Sequence, residues 1–402
     1  MLTRVAIRRK LIAACLVTLV VACAFHLNVA AQVERTAVAK WSAQRRGRSL
    51  WPGARFTGEE RERSILRGMR FVYRTARRRA NFADYGSDYV WWFAAISNTV
   101  RDERVRRLAR GMALECAHRW RATHRSLPSD ADAETIADFV AGGDALESLG
   151  LRDERLKEQL RLAAPRFAAR DYLIFDPLTE PPPSDVPDEC EYDGTSDNPR
   201  GAKLCRVCRR PLEMRTRYDV WYDALVTAHT GDHYGVTLGA HYADVLKWLP
   251  TLHPYSVVGS GDDPEFIDAV YAVTHVVYTL DDYWTYRLNP RLLPQEYEFL
   301  KASLPEAVAV RDADMLGEIM DSLKSFGLDD SDPLIREGTE FLLAHQHRDG
   351  SWGDVGDDVY DRYHATETAV NGLCEYAVRG EGLSFPAVEP MLARWAQEER
   401  LR

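Results

Sequence analysis

The segment that most constrains the fold lies near the C-terminus, between Phe341 and Leu373. An apolar helical turn leads to Gln346, a turn with the sequence Arg-Asp-Gly-Ser-Trp-Gly follows, and a second apolar helix comes next. Gly350 can end the first helix, because glycine takes positive φ without strain. Trp352 offers a large flat surface that would cover the exposed helix end. The segment therefore predicts two helices joined end to start, and it leaves the chemistry open.

The same order of residues resembles the repeat of squalene-hopene cyclases and other α/α-toroid proteins, in which a Gln and a Trp join the end of one helix to the start of the next. The resemblance covers residues 341–373 and implies a toroid of antiparallel helix pairs. Protein prenyltransferase β subunits, a second toroid family, place a zinc ligand in a similar Tyr-His segment, so the resemblance implies that His364 can bind zinc. The cyclases' Asp-x-Asp-Asp motif is absent, and Leu280-Asp281-Asp282 is the nearest approach to it.

Helical periodicity continues through the rest of the chain. Apolar residues recur at three- and four-residue spacing, and Gly, Pro or Asp separates the segments. The predicted helices span residues 57–82, 86–97, 100–124, 133–149, 152–172, 217–230, 233–249, 264–287, 293–304, 313–326, 333–347 and 364–379. Asp263-Pro264 and Asp332-Pro333 mark two helix starts, since an Asp can cap a helix whose first residue is proline. We predict an all-α fold, an α/α toroid with a cysteine-containing loop insert and an N-terminal membrane leader.

Composition divides the chain into four parts. They are a signal anchor or signal peptide (1–32), a basic helical part (33–175), a Pro- and Cys-rich loop insert (176–217) and a helical part with the Gln-Trp motif (218–402). In the leader, basic residues precede an uncharged run from Leu11 to Ala31 that is long enough to cross a bilayer. It can remain as an anchor, be cleaved after Ala31 or be lipidated at Cys23. We predict a membrane-anchored, extracytoplasmic protein.

The charge is unevenly distributed. Residues 32–124 contain 21 Lys and Arg against 9 Asp and Glu, whereas the whole chain has a net charge of −9. A basic segment directly after a membrane leader fits contact with anionic lipid, and an Arg-rich solvated helix face explains it equally well. Nucleic-acid binding is not expected for an exported chain with an acidic main body. The predicted partners are a membrane lipid surface and a small or lipidic substrate.

The insert contains three cysteines with the spacing Cys190-x14-Cys205-x2-Cys208. They supply three soft ligands, one fewer than a structural zinc site needs, and His229, His233 or an acidic side chain could complete it. The alternative is a disulfide between Cys190 and one of the other two, which an oxidising exterior favours. The sequence leaves both possibilities open.

Histidines are concentrated in the C-terminal half, on helices that carry polar or aromatic stripes. The predicted stripes are Tyr271, His275, Tyr278 and Asp282; Tyr234, His241, Asp244 and Trp248; and His364, Glu367, Asn371 and Cys374. Such stripes suit a central cavity in which imidazoles from several helices bind a transition metal, with Zn, Fe and Cu not distinguished. The candidate metal ligands are His233, His241, His275 and His364. For each histidine taken alone, a core residue with a Tyr or Asp partner is the favoured interpretation, whereas for the set a metal site is an equal alternative.

The candidate catalytic residues are Asp281, Asp282, Tyr278 and Glu367. The leading hypothesis is a metal-dependent toroid enzyme that acts on a small or lipidic substrate. A second hypothesis is a metal-free, terpene-cyclase-like enzyme in which aromatic side chains stabilise a carbocation. A third is a non-catalytic binding scaffold at the membrane surface. A measurement of bound metal would distinguish the first hypothesis, which requires a metal, from the other two, which do not.

Overall fold

Amphipathic helices build the part of the protein that the computed structural model describes, residues 56–256, 263–356 and 358–401. The helices are α1 (Gly58–Ala76), α2 (Arg79–Thr99), α3 (Glu103–Thr123), α4 (Ala133–Ser148), α5 (Glu154–Ala163), α6 (Ala169–Leu173), α7 (Arg217–Tyr234), α8 (Tyr242–Leu246), α9 (Pro264–Asp281), α10 (Pro294–Val310), α11 (Ala313–Ser325), α12 (Pro333–His345), α13 (Val359–Leu373) and α14 (Glu389–Arg400). Isolated bridges occur in these ranges, but no β-strand does. The prediction of an all-α protein is confirmed.

Capping explains where several helices begin. Asp263 accepts a hydrogen bond from the backbone N–H of Glu265, and Asp332 accepts one from Leu334, each beside a proline in the first turn. These side chains satisfy N–H groups that have no partner within the helix. Both predicted helix starts are therefore confirmed.

Six helices pack side by side in chain order. The sequence of contacts runs from α2 to α4, α7, α9, α11 and α13. Helix α13 also meets α2, because Trp92 Nε1 donates to Asn371 Oδ1 at 2.9 Å and the rings of Tyr89 and Tyr363 lie 4.9 Å apart. Helices α1, α3, α10 and α12 pack against members of this set. The inward faces of the six helices thereby surround a common space.

The Gln-Trp motif joins three helices. Trp352 is fully buried and its Nε1 donates to the carbonyl of Leu342 at 2.8 Å, which satisfies a free carbonyl at the end of α12. Gln346 Nε2 donates to the carbonyls of Ser64, on α1, and Gly350. The backbone N–H of Trp352 donates to Thr366 on α13. The motif is structural, as its sequence predicts.

Several predicted helix boundaries are wrong. The break predicted between residues 230 and 233, at Gly231, does not occur, because α7 continues to Tyr234 and ends at Gly235, whose φ is +76°. The predicted helix 233–249 is replaced by a loop and the short helix α8, so Tyr234, His241 and Trp248 do not form one stripe. Helix α13 begins at Val359 rather than at residue 364, and α14 was not predicted. Glycine spacing alone does not reveal which glycine ends a helix.

Residues 176–216 form an irregular segment between α6 and α7, at the predicted position of the insert. Trp248 Nε1 donates to the carbonyl of Pro177, and Arg215 forms ion pairs with Asp219 and Asp223 on α7. The leader prediction falls on residues outside the described ranges. Within those ranges, the structure contains no helix that is both long and apolar enough to cross a bilayer.

Candidate functional site

A cavity of about 260 Å³ lies between the six helices that contact one another in chain order. Each of them contributes to its wall, for example Trp92 on α2, Ala141 on α4, Thr230 on α7, Tyr278 on α9, Glu318 on α11 and His364 on α13. Much of the lining is aromatic, while three carboxylates and two histidines project from α2, α9, α11 and α13. A largely apolar space with a few convergent polar groups is typical of a small-molecule site.

Helix α11 carries three acids at or beside this cavity, of which Glu318 lines it. Asp314, Glu318 and Asp321 follow one another at four- and three-residue spacing, so they share one face of the helix. Glu318 and Asp321 are buried, and Asp314 is half-buried. Carboxylates are seldom buried without a partner, because removing the charge from water is costly. Their placement on one inward face is therefore a strong indication of function.

Asp314, Glu318 and His364 form a compact group whose potential ligand atoms all lie within 4.8 Å of one another. His364 Nδ1 lies 2.9 Å from Asp314 Oδ2, and its Nε2 lies 3.9 Å from Glu318 Oε1. Thr274 on α9 donates to Glu318 Oε2 at 2.5 Å and fixes that carboxylate. Two carboxylates and one imidazole from adjacent helices could hold a metal ion.

The charges of this group depend on one another. Burial raises the pKa of Glu318, and the neighbouring Asp314 raises it further. Burial opposes protonation of His364, but the Asp314 carboxylate and then Glu318 raise the pKa of the imidazole to about 10. Without another cation in the site, His364 is therefore an imidazolium that partly neutralises the two acids.

Two further acids line the cavity near this group. Burial raises the pKa of Glu367 well above its usual value, and Glu367 Oε1 has no hydrogen-bond partner. Asp88 faces the open space of the cavity, yet the surrounding walls desolvate it and raise its pKa to about 6. Tyr363 donates a hydrogen bond to Asp88 at 3.2 Å. Glu367 therefore keeps its proton at neutral pH, which suits a general acid, whereas Asp88 is largely ionised there and suits a general base.

The predicted residues Tyr278 and His275 also line the cavity, with different roles. Tyr278 donates to Asp321 Oδ1 at 2.7 Å, which holds the phenol against α11. His275 Nδ1 lies 2.7 Å from the carbonyl of Tyr271, a contact in which the imidazole donates. Burial lowers the pKa of His275 to about 4, so its ring is neutral and its other nitrogen can accept a hydrogen bond.

Asp281 and Asp282, the two predicted acids of the cyclase hypothesis, lie apart from the group on α11 and α13. Asp281 is fully buried, accepts from the backbone N–H of Trp284 at 3.0 Å and is hydrogen-bonded by Ser325. These bonds stabilise the turn after α9. Asp282 has a left-handed backbone with φ of +55°, and so do the next two residues, Tyr283 with +47° and Trp284 with +69°. Three such residues in succession store strain in a segment that places Tyr283 and Trp284 on the cavity wall.

A second cavity of about 260 Å³ contains His233 and Asp282, and Trp91, Thr230 and Tyr283 line both cavities. The rings of Trp91 and Tyr283 are 4.6 Å apart in an edge-to-face arrangement. His233 Nδ1 lies 2.6 Å from Asp144 Oδ1, and its Nε2 lies 3.6 Å from Asp282 Oδ1. The structure thus places His233 between Asp144 and Asp282 in the second cavity, whereas His364 lines the central one.

His241 lies outside both cavities. Its side chain is 67% exposed and pairs with Asp232 at 2.9 Å, where it precedes the short helix α8. The structure therefore separates the four predicted metal ligands: His275 and His364 share one cavity wall, His233 lines the neighbouring cavity and His241 faces solvent.

We expect the ion pair of His233 to make stability depend on pH. The hydrogen bond to Asp144 raises the pKa of His233 from 6.5 to about 9, despite its partial burial. The pair's contribution is complete below pH 6.5 and is lost as the pH rises through about 9. The side chain is 40% exposed, so the effect is a modest one. The urea midpoint of His233→Gln should be lower than that of the unmodified protein at pH 6, and the difference should shrink by pH 10.

The control for this experiment is His118→Gln, which alters an exposed histidine on α3. Its difference from the unmodified protein should stay small at every pH, because an exposed surface substitution rarely changes stability. A difference for His233→Gln that is constant from pH 6 to pH 10 would show that packing, rather than the charge on the imidazole, accounts for the effect.

Sequence reasoning singled out Glu367 but missed the acids on α11 and Asp88 on α2. Asp314, Glu318 and Asp321 lie in a helix whose position was predicted, within Asp-Met-Leu-Gly-Glu-Ile-Met-Asp. Acids at this spacing among Met, Leu and Ile were the available signal, since a core helix would carry apolar residues there. Asp88 gave no comparable signal, because it lies among aromatic residues whose inward face only the tertiary structure defines.

The three cysteines of the insert come together with an acid that sequence reasoning did not single out. Cys190, Cys205 and Cys208 are free thiols, and Asp193 joins them in a group whose ligand atoms lie within 4.8 Å of one another. Cys190 Sγ and Cys208 Sγ are 3.5 Å apart. The fourth candidate ligand is therefore Asp193 rather than His229 or His233. This group could also hold a metal ion.

The resemblance to α/α-toroid proteins rests on the residues of the Gln-Trp motif and on the helical rhythm around it. The candidate site, by contrast, is formed by side chains of α2, α11 and α13, which come together only in the folded protein. Comparison with known proteins adds nothing to either: no family model, no curated protein and no solved structure matches the chain.

Proposed function

We propose that this protein is a metal-dependent enzyme built on an α/α toroid, with one divalent cation held by Asp314, Glu318 and His364 in the central cavity. The observation that carries the proposal is the convergence of these three side chains, two of which, Glu318 and His364, line the aromatic cavity. The series of helix contacts that leads from α2 to α13 and back to α2 supports the toroid arrangement.

A buried carboxylate oxygen without a hydrogen-bond partner supports the binding of a cation at this site. Asp314 Oδ1 is buried and makes no hydrogen bond. An acceptor left in this state costs free energy, and a metal ion would use the carboxylate fully. Since two of the three ligands are carboxylates and one is an imidazole, Zn²⁺, Fe²⁺ and Mn²⁺ fit the site better than Cu⁺, which prefers sulfur.

The cavity favours a small substrate with an apolar body and one polar reacting group. Trp91, Trp284 and Tyr360 offer flat apolar surfaces, while the acids occupy one side. A bound divalent ion would supply Lewis acidity or an activated water. Glu367 stands beside the ligands as a protonated acid that can donate to a leaving group, whereas Asp88, with a pKa of about 6, is largely ionised at neutral pH and can accept a proton. Hydrolysis of a small or lipidic substrate is the reaction class that uses all of these groups.

Elemental analysis of the purified protein tests the metal site. Comparison of the unmodified chain with His364→Ala should show a loss of about one equivalent of metal, because an imidazole ligand has been removed. His241→Ala is the matched control, since it removes a solvent-facing histidine that pairs only with Asp232. The control should retain all of the metal.

Equal metal content in His364→Ala and the unmodified protein would contradict the proposal. A loss in His241→Ala but not in His364→Ala would assign the metal to a different part of the molecule. Circular dichroism of each variant establishes that the helical fold is intact and that any loss reflects the missing ligand.

A metal-free, cyclase-like reaction on an isoprenoid is a second candidate. The protonated Glu367 in an aromatic cavity favours it, because a neutral buried acid can protonate an alkene and aromatic faces stabilise the resulting cation. In this version Glu367, rather than Asp281 or Asp282, is the acid. Full activity of metal-stripped protein on an isoprenoid would favour this candidate over the first.

We further propose that the enzyme acts outside the cytoplasm, held at a membrane by its N-terminal segment. The basic residues before the uncharged run at 11–31 and the Arg-rich stretch that follows support this location. A membrane position would suit a lipidic substrate. Fractionation of cells that express the full chain, with protease added from outside, is the corresponding test.

A further inference from the structure

The insert between α6 and α7 is held by loop hydrogen bonds and ion pairs, without regular secondary structure of its own. Over residues 176–216 it contains no helix and only isolated bridges, at Pro187 with Met214 and at Leu204 with Pro211. Its buried side chains include Cys190 and Cys205, which are 2% and 0% exposed. Long irregular segments of this kind usually require a crosslink or a metal.

Two turns of the same shape hold the ligand group. In Cys190-Glu-Tyr-Asp193-Gly194, the carbonyl of Cys190 accepts from the N–H of Gly194 at 2.8 Å. In Cys205-Arg-Val-Cys208-Arg209, the carbonyl of Cys205 accepts from the N–H of Arg209 at 3.0 Å. The fifth residue of each turn has a left-handed backbone, with φ of +70° at Gly194 and +63° at Arg209.

Each turn presents its first and fourth side chains toward the other turn. The first turn offers Cys190 and Asp193, and the second offers Cys205 and Cys208. The N–H of Val207 also points at Cys205 Sγ, at 3.4 Å. Arg209 is informative, because a non-glycine residue rarely adopts positive φ unless the surrounding structure requires it. The turn is therefore shaped to direct its two sulfur atoms.

The distances fit a tetrahedral ion better than a disulfide. With Zn–S bonds of about 2.3 Å, neighbouring ligand atoms of a tetrahedron lie roughly 3.7 Å apart. Cys190 Sγ and Cys208 Sγ are 3.5 Å apart, and Cys205 Sγ lies 3.6 Å from Asp193 Oδ1. A disulfide would bring two sulfur atoms to about 2.05 Å. All three cysteines are free.

We infer that the insert is a structural zinc site in which Cys190, Asp193, Cys205 and Cys208 bind one Zn²⁺ from two matching turns. The four protein ligands would fill the tetrahedral coordination of the ion and leave no position open, as in structural zinc sites. His229 and His233 are engaged elsewhere, with Ser384 and Asp144. The site is independent of the proposed cavity metal, since it shares no residue with that group.

The zinc site has a consequence for the helical body. Arg215, at the end of the insert, pairs with Asp219 and Asp223 on α7, and α7 carries Thr230 on the cavity wall. A metal that fixes the insert would thereby fix the start of α7. Loss of the ion should release the insert while the other helices keep their fold.

Cobalt substitution of the full chain tests this site separately from the cavity. Co²⁺ bound by thiolates gives an intense sulfur-to-metal charge-transfer band in the near ultraviolet, whereas the cavity ligands contain no sulfur. We expect the band in the unmodified protein and in His364→Ala, and its loss on addition of excess Zn²⁺. Absence of the band in chemically reduced protein would overturn the inference, as would a disulfide among these cysteines after purification under reducing conditions.

Asp193→Asn tests the fourth ligand. Asparagine keeps the hydrogen bond that Asp193 Oδ1 accepts from the N–H of Thr195, at 3.1 Å, but removes the charge. Zn²⁺ affinity should fall at least tenfold, whereas Glu191→Gln, an exposed change in the same turn, should leave it unchanged. Asp193→Cys should bind more tightly and strengthen the cobalt band. Equal affinity in Asp193→Asn and the unmodified protein would remove Asp193 from the site.

Discussion

Replacing Gly317 by alanine should lower the free energy of unfolding by at least about 3 kcal/mol, which is the upper end of the usual cost of overpacking a protein core. Gly317 lies in α11, between the two proposed ligands Asp314 and Glu318. A Cβ atom at this position would lie 2.3 Å from the carbonyl carbon and oxygen of Thr368, on α13. These are backbone atoms of a buried helix, so they cannot rotate away as the end of a flexible side chain could. The two helices would have to separate.

Gly111→Ala is the control with the opposite expected sign. Gly111 lies within α3, on its exposed face, and a Cβ there would meet no atom within 4 Å. The substitution should stabilise the protein by about 0.5–1 kcal/mol, because glycine loses more conformational freedom in a helix than alanine. Urea unfolding of both variants measures the two effects. A stable Gly317→Ala variant would show that α11 and α13 do not cross as closely as described.

The same close crossing builds the candidate site. An ideal Cβ on Gly372, in α13, would lie 3.0 Å from the Cα of Gly317, so two glycines let the backbones meet. Their contact brings His364 to within 2.9 Å of Asp314. Any residue that separates the helices should weaken metal binding as well as folding. We therefore expect Gly317→Ala to bind less metal even at temperatures where it remains folded.

The sequence predicts interactions between residues that are close in the chain better than it predicts contacts between distant segments. Helix caps at Asp263 and Asp332 and the Gln-Trp motif act over a few residues, and their sequence patterns predict them correctly. The end of α7 was mispredicted because Gly231 and Gly235 are equally able to end a helix. Packing decides between them: a Cβ on Gly231 would lie 2.8 Å from the carbonyl of Val236, so a close backbone approach explains that glycine.

The site was harder to predict because its parts come from distant segments. His364 was identified from its motif, whereas its partners on α11 were overlooked in favour of other histidines. His233 has its own acidic partner, Asp144, 89 residues earlier in the chain. A histidine's neighbours determine whether it is a ligand, and these neighbours are defined by the tertiary fold. Buried acids on a predicted helix were the better signal, since their burial requires a compensating cation or proton.

Metal affinity of the cavity should rise by roughly tenfold for each pH unit through the neutral range, about 100-fold between pH 6 and pH 8. The reason is competition with protons: Asp314 and Glu318 raise the pKa of His364 to about 10, so the imidazole must lose a proton before it can bind metal. Burial also raises the pKa of Glu318, which adds to the proton release. Affinity is low while both groups are protonated and increases as they are deprotonated.

Titration calorimetry with Mn²⁺ measures this effect, since Mn²⁺ prefers oxygen and nitrogen ligands to the thiolates of the insert. At one pH, buffers with different ionisation enthalpies should reveal the release of about one proton or more per metal bound. Glu318→Gln should bind far more weakly at every pH. An affinity that does not change between pH 6 and pH 8 would mean that the metal does not displace the proton of His364. The acids would then be catalytic proton carriers, and the metal-free reaction initiated by Glu367 would become the better explanation of the cavity.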